Sequence, residues 1–255
     1  MTSDATTRFS VRVPYYHQFR PRYPTAVLDT LEGYGLTPES IVADIGAGTG
    51  ISSELFLNYG CTVYAVEPNS EMRAASEHYY GDRPNFHAVD GNAEATTLAG
   101  HSIDWVTAGQ AFHWFDHAQA KVEFARILRP GDRVALFWND RADHVSPFVD
   151  EYNAVMKQFD VEQGTTPRAK ELLATDEQLA EFFAPNGYDE HELPNPVFYD
   201  WDSLQGRALS SSYAPLPGHE RHAGMIAALR DVYDRHQSGG QVRMDYVTRV
   251  YVGRV

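Results

Sequence analysis

Cysteine is nearly absent: Cys61 is the single thiol in 255 residues. An intrachain disulfide is therefore impossible, and a cysteine-based zinc cage is excluded. Cys61 opens the strand-like run "CTVYAV", where a small buried hydrophobe fits better than a nucleophile. Basic charge is also scarce. The chain carries 21 Lys and Arg against 35 Asp and Glu, a formal net charge of -14, with no block of basic residues. A nucleic-acid backbone or an anionic membrane as main partner would need a cationic face, although a local basic pocket is compatible with this balance. The amino terminus, "MTSDATTRFS", lacks the apolar centre of a secretory signal. No uninterrupted apolar run approaches the roughly 20 residues of a membrane span. These absences point to a cytoplasmic protein with a small-molecule partner, no nucleic acid and no membrane. They leave the oligomeric state open.

What is present is a repeating alternation of short apolar runs with helical patterns. "SIVADIG", "CTVYAVEP", "NFHAVDGNAE", "IDWVTAGQAFHWF" and "DRVALFWND" read as strands or strand-plus-turn segments. Between them "GISSELFLNYG", "SEMRAASEHYY" and "AQAKVEFARILRPG" read as helices, the last closed by its glycine. Before the first strand, Pro24 starts a helix that Gly33 and Gly35 stop, while the prolines of "PYYHQFRPRYP" argue against a helix through the end of that stretch. This rhythm predicts a mostly parallel sheet with right-handed crossovers. Beyond Arg141 come helical patterns, the extended "HELPNPVFYDW", a further helix, and a final alternating run, "QVRMDYVTRVYVGRV", suited to antiparallel pairing.

"ADIGAGTG" places three glycines directly after the first strand. Glycine permits a sharp bend and close ligand approach, and the following helix aims its free N–H groups and dipole at that ligand. The spacing is G-x-G-x-G rather than the G-x-G-x-x-G of dinucleotide binders, and on its own it also suits a plain tight turn. Glu67, ending the second strand, stands where a carboxylate can accept hydrogen bonds from a ribose diol. Asp44, just ahead of the glycines, is expected to border the crevice and disfavour a pyrophosphate there. A ligand with an amino group and a sulfonium suits such a crevice better: S-adenosylmethionine.

"VADIGAGTG", "VYAVEPNSEM" and "GNAEATTL" together resemble the class I S-adenosylmethionine-dependent methyltransferases. "GQAFHWFD" is similar to the AFHWFD-bearing small-molecule subgroup that includes trans-aconitate methyltransferase-like proteins, as are "RPRYP" (Arg20 to Pro24) and "SSYAP" (Ser211 to Pro215). The resemblance implies one α/β domain over 1–255: a Rossmann-like methyltransferase fold with a seven-stranded mixed sheet, its last strand antiparallel, helices on both faces and a small helical cover. Within it, 1–24 would form a lid segment, 41–141 the cofactor-binding core and 142–217 the acceptor-pocket cover. It further implies that Gly46, Ala47, Gly48 and Thr49, with Asp44, surround the methionine moiety of S-adenosylmethionine, the reaction leaving S-adenosylhomocysteine. Glu67 with Pro68 would hold the ribose, Met72 would lie near the adenine, and the turn of Asn92, Ala93 and Glu94 would meet the adenine amino group. Arg20 would reach the cofactor carboxylate through a forked contact, or stand solvated beside its prolines.

Ligands of open parallel sheets sit beyond the carboxyl ends of strands, which places Gln110, Ala111, Phe112 and His113 beside the cofactor. His113 is the candidate catalytic base and, with Trp114, Tyr16 and Tyr213, a candidate acceptor contact; a purely structural histidine and core-packed aromatics are the competing readings. His113 and His117 lack a third ligand, so no metal is expected. Tyr15, Tyr16, Phe19 or Trp138 could face the cationic donor, and Tyr199, Trp201 and Tyr213 could wall the acceptor pocket. The expected reaction is methyl transfer to a small acceptor on oxygen. The alternatives are N- or C-methylation, a non-catalytic S-adenosylmethionine binder, an NAD-linked oxidoreductase, or methylation of RNA or protein.

Overall fold

The computed structural model describes residues 13–141, 146–162 and 174–255. In chain order the elements are α1 (Val13–Phe19), α2 (Ala26–Glu32), β1 (Ile41–Ile45), α3 (Ile51–Tyr59), β2 (Thr62–Val66), α4 (Ser70–Tyr80), β3 (Phe86–Val89) and β4 (Ile103–Gly109). A 3-10 turn, Phe112–Trp114, precedes α5 (His117–Ile127), β5 (Leu128–Arg141), α6 (Pro147–Gln158), α7 (Asp176–Phe183), β6 (Tyr188–Tyr199), α8 (Trp201–Leu209), α9 (His222–His236) and β7 (Val242–Gly253). The seven strands form a mixed sheet of order β3-β2-β1-β4-β5-β7-β6, its last strands antiparallel. Pairing is parallel from β3 through β2, β1 and β4 to β5. β1 is apolar apart from Asp44 and buried along nearly its whole length, as a strand covered on both faces requires.

The chain divides into two compact units. One holds the described residues of 1–21, 140–171 and 194–247, the other those of 22–139, 172–193 and 248–255. The lid and cover expected from sequence fall partly outside the described residues. The second unit contains two apolar clusters. Phe112, Phe124, Ile127 and Trp138 belong to one, and Val27, Leu31, Phe56 and Phe137 to the other. The first unit has its own core of Tyr152, Leu204, Met225, Leu229 and Met244.

Local chemistry explains most element boundaries. α1 ends at Phe19, two residues before Pro21, with Pro14 tolerated in its first turn. Asn69 caps α4 by accepting from the Glu71 and Met72 N–H groups, both at 3.0 Å. Thr175 and Gln178 form a reciprocal capping box on α7. One boundary differs from expectation. α5 stops at Ile127 rather than running to Gly131, because Pro130 disfavours helical backbone just ahead of it, and the chain enters β5 directly at Leu128.

Phe124 ties α5 to the sheet. It is wholly buried, edge-on to Phe115 at 6.2 Å and to Phe182 at 5.9 Å. Phe124→Ala should lower the free energy of unfolding by about 3–5 kcal/mol in urea titration. Val122→Ala on the same helix, at a position 71% exposed, should change it by less than about 0.5 kcal/mol.

Candidate functional site

The glycine turn begins where β1 meets α3. Gly46 has φ +68°, and a Cβ there would lie 2.6 Å from the Cβ of Ala111, so the turn at the end of β1 and the segment after β4 approach backbone to side chain. Gly48 differs. Its φ is +58°, yet a Cβ would meet nothing within 4 Å, so backbone conformation rather than crowding requires glycine and the space beside it is open to a ligand. Its N–H donates to Glu67 Oε2 at 2.8 Å, and the Asn69 N–H donates to Glu67 Oε1 at 2.9 Å. Glu67 thus bridges the glycine turn and the start of α4 while each oxygen keeps a second lone pair. It is 8% exposed, and burial raises its pKa against the opposing pull of those two N–H groups and Arg73.

Asp44 occupies a different position from the one expected. It is wholly buried, with Oδ2 accepting from the Ser52 and Ser53 hydroxyls at 2.6 and 2.7 Å and Oδ1 from Thr107 at 3.2 Å. Burial raises its pKa, and the three hydroxyls oppose that rise. A carboxylate so enclosed borders no crevice. Its function is to fix the first turn of α3 against β1 and β4, and the exclusion of a pyrophosphate cannot rest on it.

The remaining expected contacts divide by exposure. Ala47, Thr49, Met72, Ala93 and Ala111 are buried, and Pro68 and Asn92 are exposed. The Asn92 side-chain oxygen already accepts from the Ala95 N–H at 2.7 Å, which leaves its NH2 and one lone pair for an adenine edge. Glu94 accepts from the Asp116 N–H at 2.8 Å, joining this turn to the start of α5. At the end of β4, Gln110 has φ +54°, a left-handed conformation uncommon outside glycine, and its Nε2 donates to the Asn139 carbonyl at 3.3 Å. Non-glycine residues held there concentrate at functional sites.

His113 follows in the 3-10 turn. Its Nδ1 is buried without a hydrogen-bond partner among the described residues. Burial, with a contribution from neighbouring His117, pushes its pKa down to about 4. His117 is spoken for: it stacks on Phe112 at 4.1 Å and its Nε2 lies 3.2 Å from the Phe112 carbonyl. Trp114, against the core-packing reading, is 45% exposed, whereas Phe115 packs on the core. Trp138 is core as well, edge-on to Phe112 and Tyr251, and is removed from the candidates for facing a cofactor. Among the described residues no group of three or more His, Cys, Asp or Glu is arranged for a metal ion, and no helix is long and apolar enough to cross a membrane.

Arg20, Tyr16 and Tyr213 belong to the other unit. There Arg20 is not a solvated side chain. Its guanidinium lies 4.7 Å over the Tyr16 ring and donates to the Ser210 carbonyl at 3.0 Å. The late serine-tyrosine element supplies the neighbours of Arg207, a residue that sequence reasoning passed over because nothing in its local pattern marks it.

Residues 43–136 match the family model described as a methyltransferase domain. The chain is similar to an uncharacterized methyltransferase of Mycobacterium tuberculosis, 38% identical over 148 residues. That alignment spans 56% of this chain and 56% of the relative. An uncharacterized methyltransferase of Schizosaccharomyces pombe aligns over 95% of both chains at 28% identity. The fold is similar to a solved structure from Anaeromyxobacter dehalogenans, provisionally described as a type II methyltransferase. Its TM-score is 0.67 at 22% identity, covering 92% of this chain and 98% of that one. The sheet order and flanking helices are those of the Rossmann-like methyltransferase fold. Within the matched segment lie the glycine turn, Glu67, the Asn92 turn and His113.

His113 makes the domain's stability depend on pH. Its folded pKa lies below the ordinary 6.5, so the folded chain binds fewer protons than the unfolded one between about 4 and 6.5 and loses stability as pH falls through that window. His113→Asn should gain on the wild type in urea denaturation at about pH 4.5 relative to about pH 7. An offset equal at both pH values would show that His113 is not held neutral.

Proposed function

We propose that this chain is an S-adenosylmethionine-dependent methyltransferase acting on a small molecule. The observation that carries the reading is Glu67: a carboxylate at the end of β2, anchored by the Gly48 and Asn69 N–H groups, with one lone pair free on each oxygen. A vicinal diol needs such a pair of acceptors, and the open side of Gly48 leaves room for the chain that follows the ribose. Glu67 and Pro68 hold the ribose, the glycine turn from Gly46 to Thr49 receives the amino-acid end, and Met72 with the Asn92–Glu94 turn receives the adenine. The bound cofactor supplies a methyl carbon on a sulfonium, transferred to the acceptor with departure of a neutral thioether.

Displacement in line with the departing sulfur draws most of its acceleration from alignment. The protein's task is to position the acceptor and exclude water at the end of β4. Gln110 and Ala111 form the edge of that region, with His113 and exposed Trp114 as acceptor contacts. An imidazole with pKa about 4 is neutral at pH 7 and is a weak base. It suits an acceptor oxygen that is already ionised, to which its N–H donates a hydrogen bond, better than a neutral alcohol or amine that must lose a proton. This favours O-methylation over N- or C-methylation and fits the small-molecule subgroup that the AFHWFD motif resembles. An NAD-linked reaction is disfavoured by the G-x-G-x-G spacing. A non-catalytic binder would leave the strain at Gln110 and the unpartnered His113 nitrogen without a use.

Calorimetry tests the reading. S-adenosylhomocysteine should bind in the micromolar range and NAD should not bind. Glu67→Ala should weaken S-adenosylhomocysteine by about tenfold or more, through loss of charge-assisted hydrogen bonds to the diol. Binding of NAD with S-adenosylhomocysteine excluded would overturn the assignment.

A further inference from the structure

The first unit sets three arginines around Tyr213, and among the described residues none of them is paired with an acid. Arg207 is almost wholly enclosed. It donates through Nε to the Tyr246 hydroxyl at 3.2 Å and through a terminal nitrogen to the Ser210 and Ser211 hydroxyls, each at 3.3 Å. Arg20 shares Ser210 with it, donating to the carbonyl of that residue, while the Arg20 Nε is buried without a partner. Arg141 lies 5.6 Å over the ring of Tyr152, whose buried hydroxyl also lacks a partner. Among the described residues no Asp or Glu forms an ion pair with Arg20, Arg141 or Arg207; the ion pairs of this unit involve Arg230, Arg235, His236 and Arg243.

That arrangement is costly without a counter-ion. Desolvating a guanidinium is unfavourable unless an anion or a full set of acceptors replaces the lost water. Hydroxyls and a single carbonyl satisfy only part of three five-donor forks. Burial and the charge of Arg207 both push the Arg20 pKa down, the mark of two cations set close together. The surrounding phenols register the same field. Burial alone would raise Tyr213, yet Arg141 and Arg207 bring it below its ordinary value, and Tyr246 behaves alike. Arg20, Arg141 and Tyr213 each retain partial exposure, so a solute can reach the cluster.

We infer that Arg20, Arg141 and Arg207, with the Tyr152 and Tyr213 hydroxyls, form a binding site for the oxyanion group of a small molecule, a carboxylate or a phosphate. Planar guanidinium forks match either group through paired donors, and the phenols complete the set. Arg20, Arg141, Arg207, Tyr152 and Tyr213 all belong to this one unit, and the oxyanion has two sources, a carboxylate ligand or a phosphate ligand, that binding can separate. The site stands on its own geometry in either case.

Thermal shift and calorimetry on the full chain, at fixed ionic strength, should show phosphate and succinate raising the melting temperature saturably where chloride does not. Arg141→Gln should weaken that binding about tenfold or more, the loss of a charge-assisted contact. Its melting temperature without oxyanion should hold or rise, since one buried cation is removed. Arg207→Lys, which keeps the charge and loses the fork, should weaken binding too. Equal effects of chloride and oxyanions, or unchanged oxyanion binding in Arg141→Gln, would overturn the site. Of phosphate and succinate, the tighter binder names the class of oxyanion that the site takes. Oxyanion binding retained in a chain that fails to bind S-adenosylhomocysteine would sink the proposed function and leave the site intact.

Discussion

The candidate site depends on a carboxylate that has no surface. Asp44 sits inside β1, and its two oxygens take hydroxyl donors from Ser52 and Ser53 on α3 and Thr107 on β4. Three elements are thereby fixed to one another at the point where the glycine turn leaves the sheet. An ion at that depth is tolerated only because its lone pairs are filled. Replacing it with an apolar residue would leave three hydroxyls buried without their acceptor, and the turn would lose the anchor that aims the start of α3.

Glu67 uses the same means for a different end. Gly48 and Asn69 each give it one N–H, which fixes its orientation without exhausting its capacity. The two acids are 23 residues apart in sequence and one strand apart in the sheet, in parallel register between β1 and β2. One takes hydroxyl donors on both oxygens and holds the scaffold; the other, though buried, keeps a lone pair on each oxygen beyond its two backbone donors. The segment beyond β4 completes the pattern. The close approach of Ala111 to Gly46 brings Gln110 and His113 to the same end of the sheet as Glu67.

Much of this was legible in the sequence, for reasons that particular residues show. Strands β1 to β5 are apolar runs bounded by turn residues, and the helices between them carry their own caps and stops, so local chemistry specified the alternation. Glu67 was legible because its position follows from strand length and the glycine turn. Asp44 was placed in the sequence but misjudged in space. Its hydroxyl partners lie at 52, 53 and 107, and a one-dimensional reading could not show that they converge to enclose it. Trp138 was misjudged for the related reason that aromatic content does not reveal which face a ring takes. The end of α5 was missed by weighting Gly131 over the earlier effect of Pro130. The arginine cluster was the least legible feature: Arg20, Arg141 and Arg207 come from three distant segments, and each is unremarkable in its own neighbourhood.

Buried charge in this chain is therefore informative through its partners rather than its depth. Asp44 is enclosed and saturated, and folding alone accounts for it. Glu123 is likewise answered within the fold, held below the usual carboxylate range first by Arg126 and then by Thr96. Arg207 is enclosed and only partly answered, by hydroxyls that are weak acceptors beside a carboxylate, and it has the Arg20 cation for a neighbour. A chain with 35 acids and 21 Lys and Arg had ample means to pair those cations from within. Their lack of an acidic partner among the described residues is a cost that folding does not explain, and it falls away once an oxyanion supplies the missing acceptors.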